Sequence, residues 1–535
     1  MREEEWKKKR IYTPEQLAIA RLALESIKNG IDVRSALRKH PLPNGFLAKH
    51  TLVSVYRKLV EDGEWIEDPT LLAKIRMKPV RTLSGVTTIT VLTKPSPCPG
   101  ECIFCPTELN MPQSYLSDEP GAMRGLENNF DPFRQVSSRL QSLYEVGHPT
   151  DKVELLILGG SWSAYSREYQ SWFVRRCFDA LNGVNPEDSD PAADLESAHK
   201  LNIDGVHRNV GLVIETRPDL ITVDELKWYR KLGVTKVQIG IQSLDDHILS
   251  INKRGHTVSQ ALEALVLLRA GGFKVVLHWM PNLLGATIES DKVDFARLWV
   301  DHGMDPDELK IYPCQLLKNT ELYNYWQKGE YHPYAETELI TLIADIKETI
   351  PKYCRVNRVI RDIPSPHVVQ GNRNTSLRQD AVREMQKRGT KCQCIRCREI
   401  KNEPVLYEDL VMNDLIYQAA DAEEHFISYD TVSGGLAGYC RLSLPNGENI
   451  LGIPDLEQAA IIREVHVYGQ SLELGEEKRG AAQHIGLGSS LIKHAEKISG
   501  EKGYLRLAVI AAIGTQSYYA ARGFSSGDMY MVKTL

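Results

Sequence analysis

Cys98-Pro-Gly-Glu-Cys102-Ile-Phe-Cys105 places three thiols, spaced x3 and x2, on one short segment. Thiolates at that spacing can hold three irons of a 4Fe-4S cube and leave the fourth iron without a protein ligand. A vacant iron can chelate a small molecule, and the amino acid end of S-adenosylmethionine (SAM) suits it. Structural zinc usually closes four ligands around one ion from paired C-x2-C hooks, so a three-thiol hook fits it poorly. Stray structural cysteines are the remaining alternative. A second group, Cys392-Gln-Cys394-Ile-Arg-Cys397, puts three thiols within six residues and needs a fourth ligand for tetrahedral zinc. Cys314 is the best candidate for that fourth ligand. A second iron–sulfur cluster is the competitor, although C-x-C-x2-C is not a familiar cluster spacing. Cys177, Cys354 and Cys440 stand alone and read as buried apolar residues.

The elements around the first thiol group alternate. Apolar strands are predicted at Val86–Lys94, Lys152–Gly159, Val210–Glu215, Lys236–Gln242, Lys274–Met280 and Leu309–Cys314, with helices such as Val223–Leu232 and Ser259–Ala270 between them. Six βα units predict a parallel sheet and a partial TIM-type barrel, whose chemistry sits at the carboxyl ends of the strands. The three-thiol loop follows the first strand, at that end. Gly159-Gly160 closes the second strand, where small residues let backbone carbonyls approach a ligand's ammonium group; a plain turn is the alternative. Glu215-Thr-Arg217-Pro-Asp219 ends the third strand and Gln242-Ser243 the fourth. These groups can grip the ribose and carboxylate of SAM, or form a salt-bridged rim.

Residues 1–78 read as helices, opened by Thr13-Pro-Glu-Gln with an N-cap and first-turn proline. Lys7, Lys8, Lys9, Arg10, Arg34, Arg38, Lys39, His40, Lys49, Arg57 and Lys58 stud this region, as an RNA-phosphate surface or a solvated face. A barrel occupies 79–360. A connector, 361–400, ends in the second thiol group. Its basic run with the preceding residues, Arg355, Arg358, Arg361, Arg373, Arg378, Arg383, Lys387, Arg388 and Lys391, reads as a polyanion track or a solvated linker. Residues 401–535 form a further α/β unit. There the strand Ala460–Tyr468 leads through a polar loop to Gln483-His-Ile-Gly486-Leu487-Gly488 and the helix Ser489–Gly500. A second strand, Leu505–Ala511, precedes Tyr518-Tyr519. Glycines at a helix start expose N–H groups to a pyrophosphate. That spacing is weak alone, but the whole arrangement resembles the acetyl-CoA fold of GNAT acetyltransferases. There a tyrosine, here Tyr519, protonates the departing CoA thiolate, with Tyr518 packing beside it.

Composition narrows the classes. The chain has 535 residues, ten cysteines and a formal net charge of -5. That length suggests about three domains, and the charge argues against a general polycation without excluding local nucleic-acid patches. Clustered cysteines read as metal chemistry in a reducing compartment rather than a disulfide scaffold. The charged N-terminal segment lacks an apolar signal core and no run is long enough to cross a bilayer, so the expected location is cytoplasmic.

Together the two domain motifs resemble the catalytic subunit of Elongator and its stand-alone prokaryotic relatives. The resemblance includes Tyr115, Met123-Arg124, Asp131-Pro-Phe133, Asp151-Lys-Val-Glu154, Glu215–Asp219 and Arg254-Gly-His-Thr257. It continues through Arg361-Asp-Ile-Pro364, Arg463-Glu-Val-His-Val-Tyr468 and Tyr530-Met-Val-Lys533. It runs from about residue 80 to the end, and the N-terminal helices match the family's tRNA-binding region more loosely. It implies a fold of α/β class, a radical SAM barrel fused to a GNAT domain. It also implies a tRNA carboxymethyluridine synthase, which uses acetyl-CoA and SAM radical chemistry to form 5-carboxymethyluridine at the wobble position. Cys98, Cys102 and Cys105 would carry the cluster. Lys152, the stretch Glu464, Val465, His466 and Val467, then Gly486, Leu487 and Gly488, and Tyr519 would contact acetyl-CoA, with Tyr519 and Lys152 catalytic. Gly159, Gly160, Glu215 and Gln242 remain candidates toward SAM. Cys314, Cys392, Cys394 and Cys397 match the zinc site of prokaryotic members. The compact x3 spacing departs from the longer insert of eukaryotic members and points to a bacterial or archaeal stand-alone form, with Elongator-type partner subunits in doubt and a homodimer open. Two rivals remain: a protein lysine acetyltransferase with a vestigial barrel, which would need neither iron nor SAM, and a non-enzymatic tRNA-binding module, which would need neither Tyr519 nor the cluster thiols.

Overall fold

The apolar runs become the strands of an open barrel. A computed structural model of the chain describes residues 12–82, 84–184, 194–300, 303–400, 405–468 and 486–535. Seven parallel strands lie side by side in chain order: β1 (Thr87–Leu92), β2 (Lys152–Leu158), β3 (Arg208–Thr216), β4 (Lys236–Gln242), β5 (Lys274–Trp279), β6 (Glu308–Ile311) and β7 (Arg355–Arg358). β1 and β7 are not paired with each other, so the barrel is open on one side. Six of these strands fall where alternation of apolar runs and helices put them. The seventh is not among the predicted strands, because Arg-Val-Asn-Arg has one apolar residue and its strand character comes from pairing with β6.

Side chains alternate across each strand. Val237, Ile239 and Ile241 of β4 enter the main apolar core, while Lys236, Gln238 and Gln242 face a central cavity. A closed TIM barrel fills this interior with branched apolar side chains; here charged and amide groups occupy it and leave it open.

The N-terminal helices have a core of their own, including Ala20, Leu24, Leu52, Tyr56 and Ile75. Their first helix, Pro14–Lys28, starts as its sequence dictates. Thr13 Oγ1 accepts from Gln16 N at 3.2 Å, and Gln16 Oε1 accepts from Thr13 N at 3.0 Å. Lys7 to Arg10 lie outside the described residues.

The C-terminal unit is a seven-stranded mixed sheet: β8 (Leu410–Ala419), β9 (Ala422–Thr431), β10 (Leu436–Pro445), β11 (Ala459–Val467), β12 (Arg506–Val509), β13 (Ser525–Ser526) and β14 (Met531–Thr534). β11 and β12 are parallel, but their pairing stops at Ile462–Val509, while β11 continues along β10 to Val467. Beyond Ile462 the two strands are no longer paired. The helix Leu487–Glu501 follows, with Gly486 in the left-handed region at φ 73° and no side chain capping its first amides. Gln483, His484 and Ile485 lie outside the described residues.

This sheet docks on the amino end of the barrel through buried charge. Asp307, just before β6, accepts from Arg463 Nη1 and Nη2 at 2.7 Å each, and Arg441 lies 3.3 Å away. Arg463 also meets Glu424 at 2.7 Å. Lys274 pairs with Glu464 and, at 2.7 Å, with Glu308; Lys236 bonds Glu154 at 2.6 Å. Burial opposes ionisation of Asp307, but Arg463, Arg441 and Arg269 outweigh it and hold the carboxyl far below its ordinary range. Both charges of each pair are thus kept in a water-poor interface, where losing one partner is costly.

Candidate active site

The three-thiol loop sits at the carboxyl end of β1, as its position in the chain predicts. Gly100 N lies 3.4 Å from Cys98 Sγ, and Arg254 Nη1 lies 3.4 Å from Cys102 Sγ. Arg254 is anchored on the Gly240 carbonyl at 2.5 Å, and Arg217 is anchored on Asp219 and on the Arg254 carbonyl at 3.0 Å. Arg217 Nη1 is buried without a hydrogen-bond partner, as are both ring nitrogens of His256. Burial, then Arg254 and Arg217, lower the His256 pKa to about 3, so the imidazole is neutral. A cationic collar with an unused buried donor beside three thiols suits an anionic thiolate cluster and its ligand, and the donor set fits a 4Fe-4S cube with one open iron.

The other predicted SAM-side residues gather at the same end. Gly159 and Gly160 have φ of 133° and 98°, and a Cβ at Gly159 would collide with Thr93 Oγ1. Gln242 holds a positive φ of 67°, and its Oε1 is buried without a partner; such strain in a non-glycine residue collects at functional sites. Glu215 Oε1 lies 3.9 Å from His278 Nδ1. Arg361 closes the loop from the far side, bonding Ser114 Oγ at 2.7 Å and Glu119 at 3.0 Å.

At the opposite end of the barrel lie the acyl-side residues. Tyr519 is buried, packed edge-on against Tyr518 and Phe524. Burial, with Tyr518 beside it, raises its pKa well above the usual phenol value, so the hydroxyl stays protonated. Glu464 accepts from Tyr439 at 2.9 Å and from Arg441 at 3.0 Å. Burial pushes its carboxyl up, yet Lys274 and Arg441 outweigh that and hold it at about 2. His466, stacked near Tyr439 and Tyr468, is lowered to about 4 by burial against the opposing pull of Glu464, and its Nε2 has no partner. Leu487 and Gly488 open their helix beside Tyr518. Lys152 begins β2 next to Arg208, its pKa lowered chiefly by burial.

One cavity of about 840 Å³ joins the two ends, lined by Cys105, Tyr115, Glu215 and Gln242 at one and by Glu464, Val465, His466 and Tyr519 at the other. Lys152, Val467, Gly159, Gly160 and the 486–488 turn are not in its wall.

Two expectations change. Cys392, Cys394 and Cys397 converge, with ligand atoms all within 4.8 Å, but Cys314 does not join them. It follows β6 at the carboxyl end of the barrel, among Ile103, Leu283, Leu316 and Tyr331. The cysteine beside the triad is Cys354, expected to stand alone; its backbone carbonyl accepts from Ile395 N at 2.9 Å and its thiol feels Cys394 most strongly after burial. The basic run is also partly neutralised: Arg355 pairs with Glu399, Arg358 with Asp362, Arg361 with Glu119, Arg383 with Asp380, and Arg388 with Asp345, while Arg373 and Arg378 bond backbone carbonyls. Glu119 and Asp345 are brought in from other elements, whereas Asp362, Asp380 and Glu399 belong to the segment itself.

Residues 97–296 match the Radical SAM superfamily model, and 306–387 match the Radical SAM C-terminal domain. A tRNA uridine(34) acetyltransferase of Methanocaldococcus jannaschii is 40% identical over 486 residues, covering 88% of each chain. The protein of that name from Dehalococcoides mccartyi is 41% identical over 85% of this chain and 99% of its own. The chain belongs to the Elongator catalytic subunit family. Human Elongator complex protein 3 is 33% identical over 94% of this chain and 93% of its own. The solved structure of an archaeal Methanocaldococcus infernus Elp3 with an N-terminal deletion superposes with a TM-score of 0.73 at 36% identity, covering 84% of this chain and 99% of that one. Membership in this family makes the chain a radical SAM enzyme of the acyltransferase class. Among the described residues no helix is long and apolar enough to cross a membrane.

Proposed function

We propose that this enzyme converts the wobble uridine of tRNA to 5-carboxymethyluridine, taking the added carbons from acetyl-CoA. The relatives named for uridine(34) acetylation support the substrate and position. The observation that carries the finer reading is the pairing within one chain of a three-thiol loop and an open acyl-binding cleft on a common cavity. When bound at Cys98, Cys102 and Cys105, the cluster and SAM supply a 5'-deoxyadenosyl radical able to take hydrogen from the acetyl methyl group. The chain's residues do the rest. Arg217 and Gln242 offer buried polar atoms to the carboxylate and ribose of SAM, and the glycine turn at 159–160 brings main chain close. The uncapped amides at Leu487 and Gly488 face the pyrophosphate of CoA. Tyr519, kept protonated by burial, donates to the CoA thiolate as the thioester is hydrolysed. Glu464 is locked in ion pairs and is no base; His466, neutral and part of the cavity wall, takes the proton from the hydrolytic water. The helical N-terminal region holds the tRNA, with the open side of the barrel as the entry for the base. Cys392, Cys394 and Cys397, with Cys354 as neighbour, have the donor chemistry of a structural zinc site.

Anaerobic reconstitution followed by mass spectrometry of tRNA nucleosides tests the reading. Cys102→Ser is expected to abolish carboxymethyluridine while tRNA still binds. Unchanged nucleoside content in that variant contradicts it.

A further inference from the structure

The thiol loop and the acyl cleft stand at opposite ends of the barrel, so the acetyl group has a distance to cross. Six residue steps along β5, from Lys274 to Met280, span roughly 20 Å at about 3.3 Å each. The lumen between them is built as a passage rather than a core. Its wall is arranged in layers. Lys236, Lys274, Glu308 and Glu154 neutralise one another at the acyl end. In the middle layer Gln238 Oε1 accepts from Lys310 Nζ and lies 2.9 Å from His278 Nε2; Thr90 and Leu156, abreast of Val213 and Lys236 in the strand register, line the same lumen. Lys310 is buried yet has no carboxylate within 4 Å among the described residues. A buried ammonium without a counter-charge is expensive, and a barrel that needed only stability would fill this layer with Val, Ile or Leu.

We propose that the barrel lumen is the binding channel for the acyl-bearing arm of acetyl-CoA. The thioester threads from the β11–β12 opening, past the Gln238–Lys310 pair, to the thiol-loop end. The arm is a neutral chain of amides ending in a thioester, and the wall beyond the charged layer offers it the Lys310 ammonium, the Gln238 amide and the His278 ring rather than fixed opposite charges. No bond is made or broken in transit; the thioester reaches the radical end intact. This inference rests on the acetyl-CoA and SAM reading above.

The test uses the full-length, anaerobically reconstituted enzyme with the lumen plugged from two different strands, Thr90→Trp and Leu156→Trp, and Thr90→Val as the size-matched control. Acetyl-CoA-dependent 5'-deoxyadenosine and carboxymethyluridine are expected to fall together on the order of 10²-fold, as expected when reacting groups cannot be brought together, while the iron–sulfur absorbance and tRNA binding stay near wild type. Thr90→Val keeps the product. Wild-type product formation in both tryptophan variants overturns the channel. A wild-type enzyme that cleaves no SAM or makes no carboxymethyluridine counts instead against the underlying function. Should the plugged variants not fold, the unmodified enzyme decides the matter with a photoreactive acyl-CoA. Labelling of peptides carrying Thr90, Leu156 or Lys310 supports the channel, and labelling confined to the C-terminal sheet refutes it.

Discussion

Asp307 carries the contact that makes the two halves one catalytic body, and its loss should be measurable. The carboxylate is fully buried, takes two 2.7 Å bonds from Arg463, lies 3.3 Å from Arg441 and accepts from Val275 N at 2.9 Å. Hydrogen bonds to charged groups contribute about 1.5–3 kcal/mol each. Asp307→Asn keeps shape and one acceptor oxygen but removes the charge, leaving Arg463 with Glu424 and Arg441 with Glu464 as their remaining partners. Breaking a buried pair from one side costs about 3–5 kcal/mol, and the surviving pairs place the expected loss near the lower end of that range. Urea unfolding at neutral pH, followed by the fluorescence of the interface aromatics, reads it as a lower midpoint at unchanged slope. Asp307→Asn combined with Arg463→Met should lose less than the sum of the two single changes, because the second removes the stranded cation. A destabilisation under about 1 kcal/mol, or strict additivity, would refute the claim that this pair holds the interface.

Tyr519→Phe should fold normally, since the ring makes the packing contacts, and lower tRNA-stimulated CoA release by about 10²-fold or more; wild-type release clears the hydroxyl of its assigned role. Glu464, held at about 2 in the folded protein against an ordinary value near 4.3, adds stability that is present above that ordinary value and is lost as pH falls through the folded one. Acid unfolding of Glu464→Gln should therefore be shallower below about pH 4 than that of the parent, and identical acid profiles would contradict the ion-pair account. Stripping metal from the Cys392–Cys397 group with a chelator should lower the melting temperature and release about one zinc per chain; replacing Cys354 should weaken retention, whereas replacing Cys314 should not.

Much of the barrel was legible because its strands are apolar and evenly spaced between helices, and β4 begins and ends where its apolar alternation does. The antiparallel strands β8, β9 and β10 were not identified. Leu410–Ala419 is an exposed edge that mixes Asn413, Asp414 and Gln418 with its apolar residues, and its strand character comes from pairing with β9. The place of the thiol loop after β1 and of Tyr519 after β12 followed from the order of motifs along the chain. What depends on distant partners was not: the cationic collar of Arg217 and Arg254, the Asp307–Arg463 anchor, and the packing of Cys354 rather than Cys314 beside the Cys392–Cys397 group all arise from elements that meet only in three dimensions.

The central claim is that hydrogen leaves the acetyl methyl group at the thiol-loop end of this barrel. Turnover with methyl-deuterated acetyl-CoA and unlabelled SAM tests it most directly. The account predicts deuterium in the recovered 5'-deoxyadenosine and in the carboxymethyl group of the modified uridine. A dideuterated carboxymethyl group formed with no deuterium in the 5'-deoxyadenosine would contradict it.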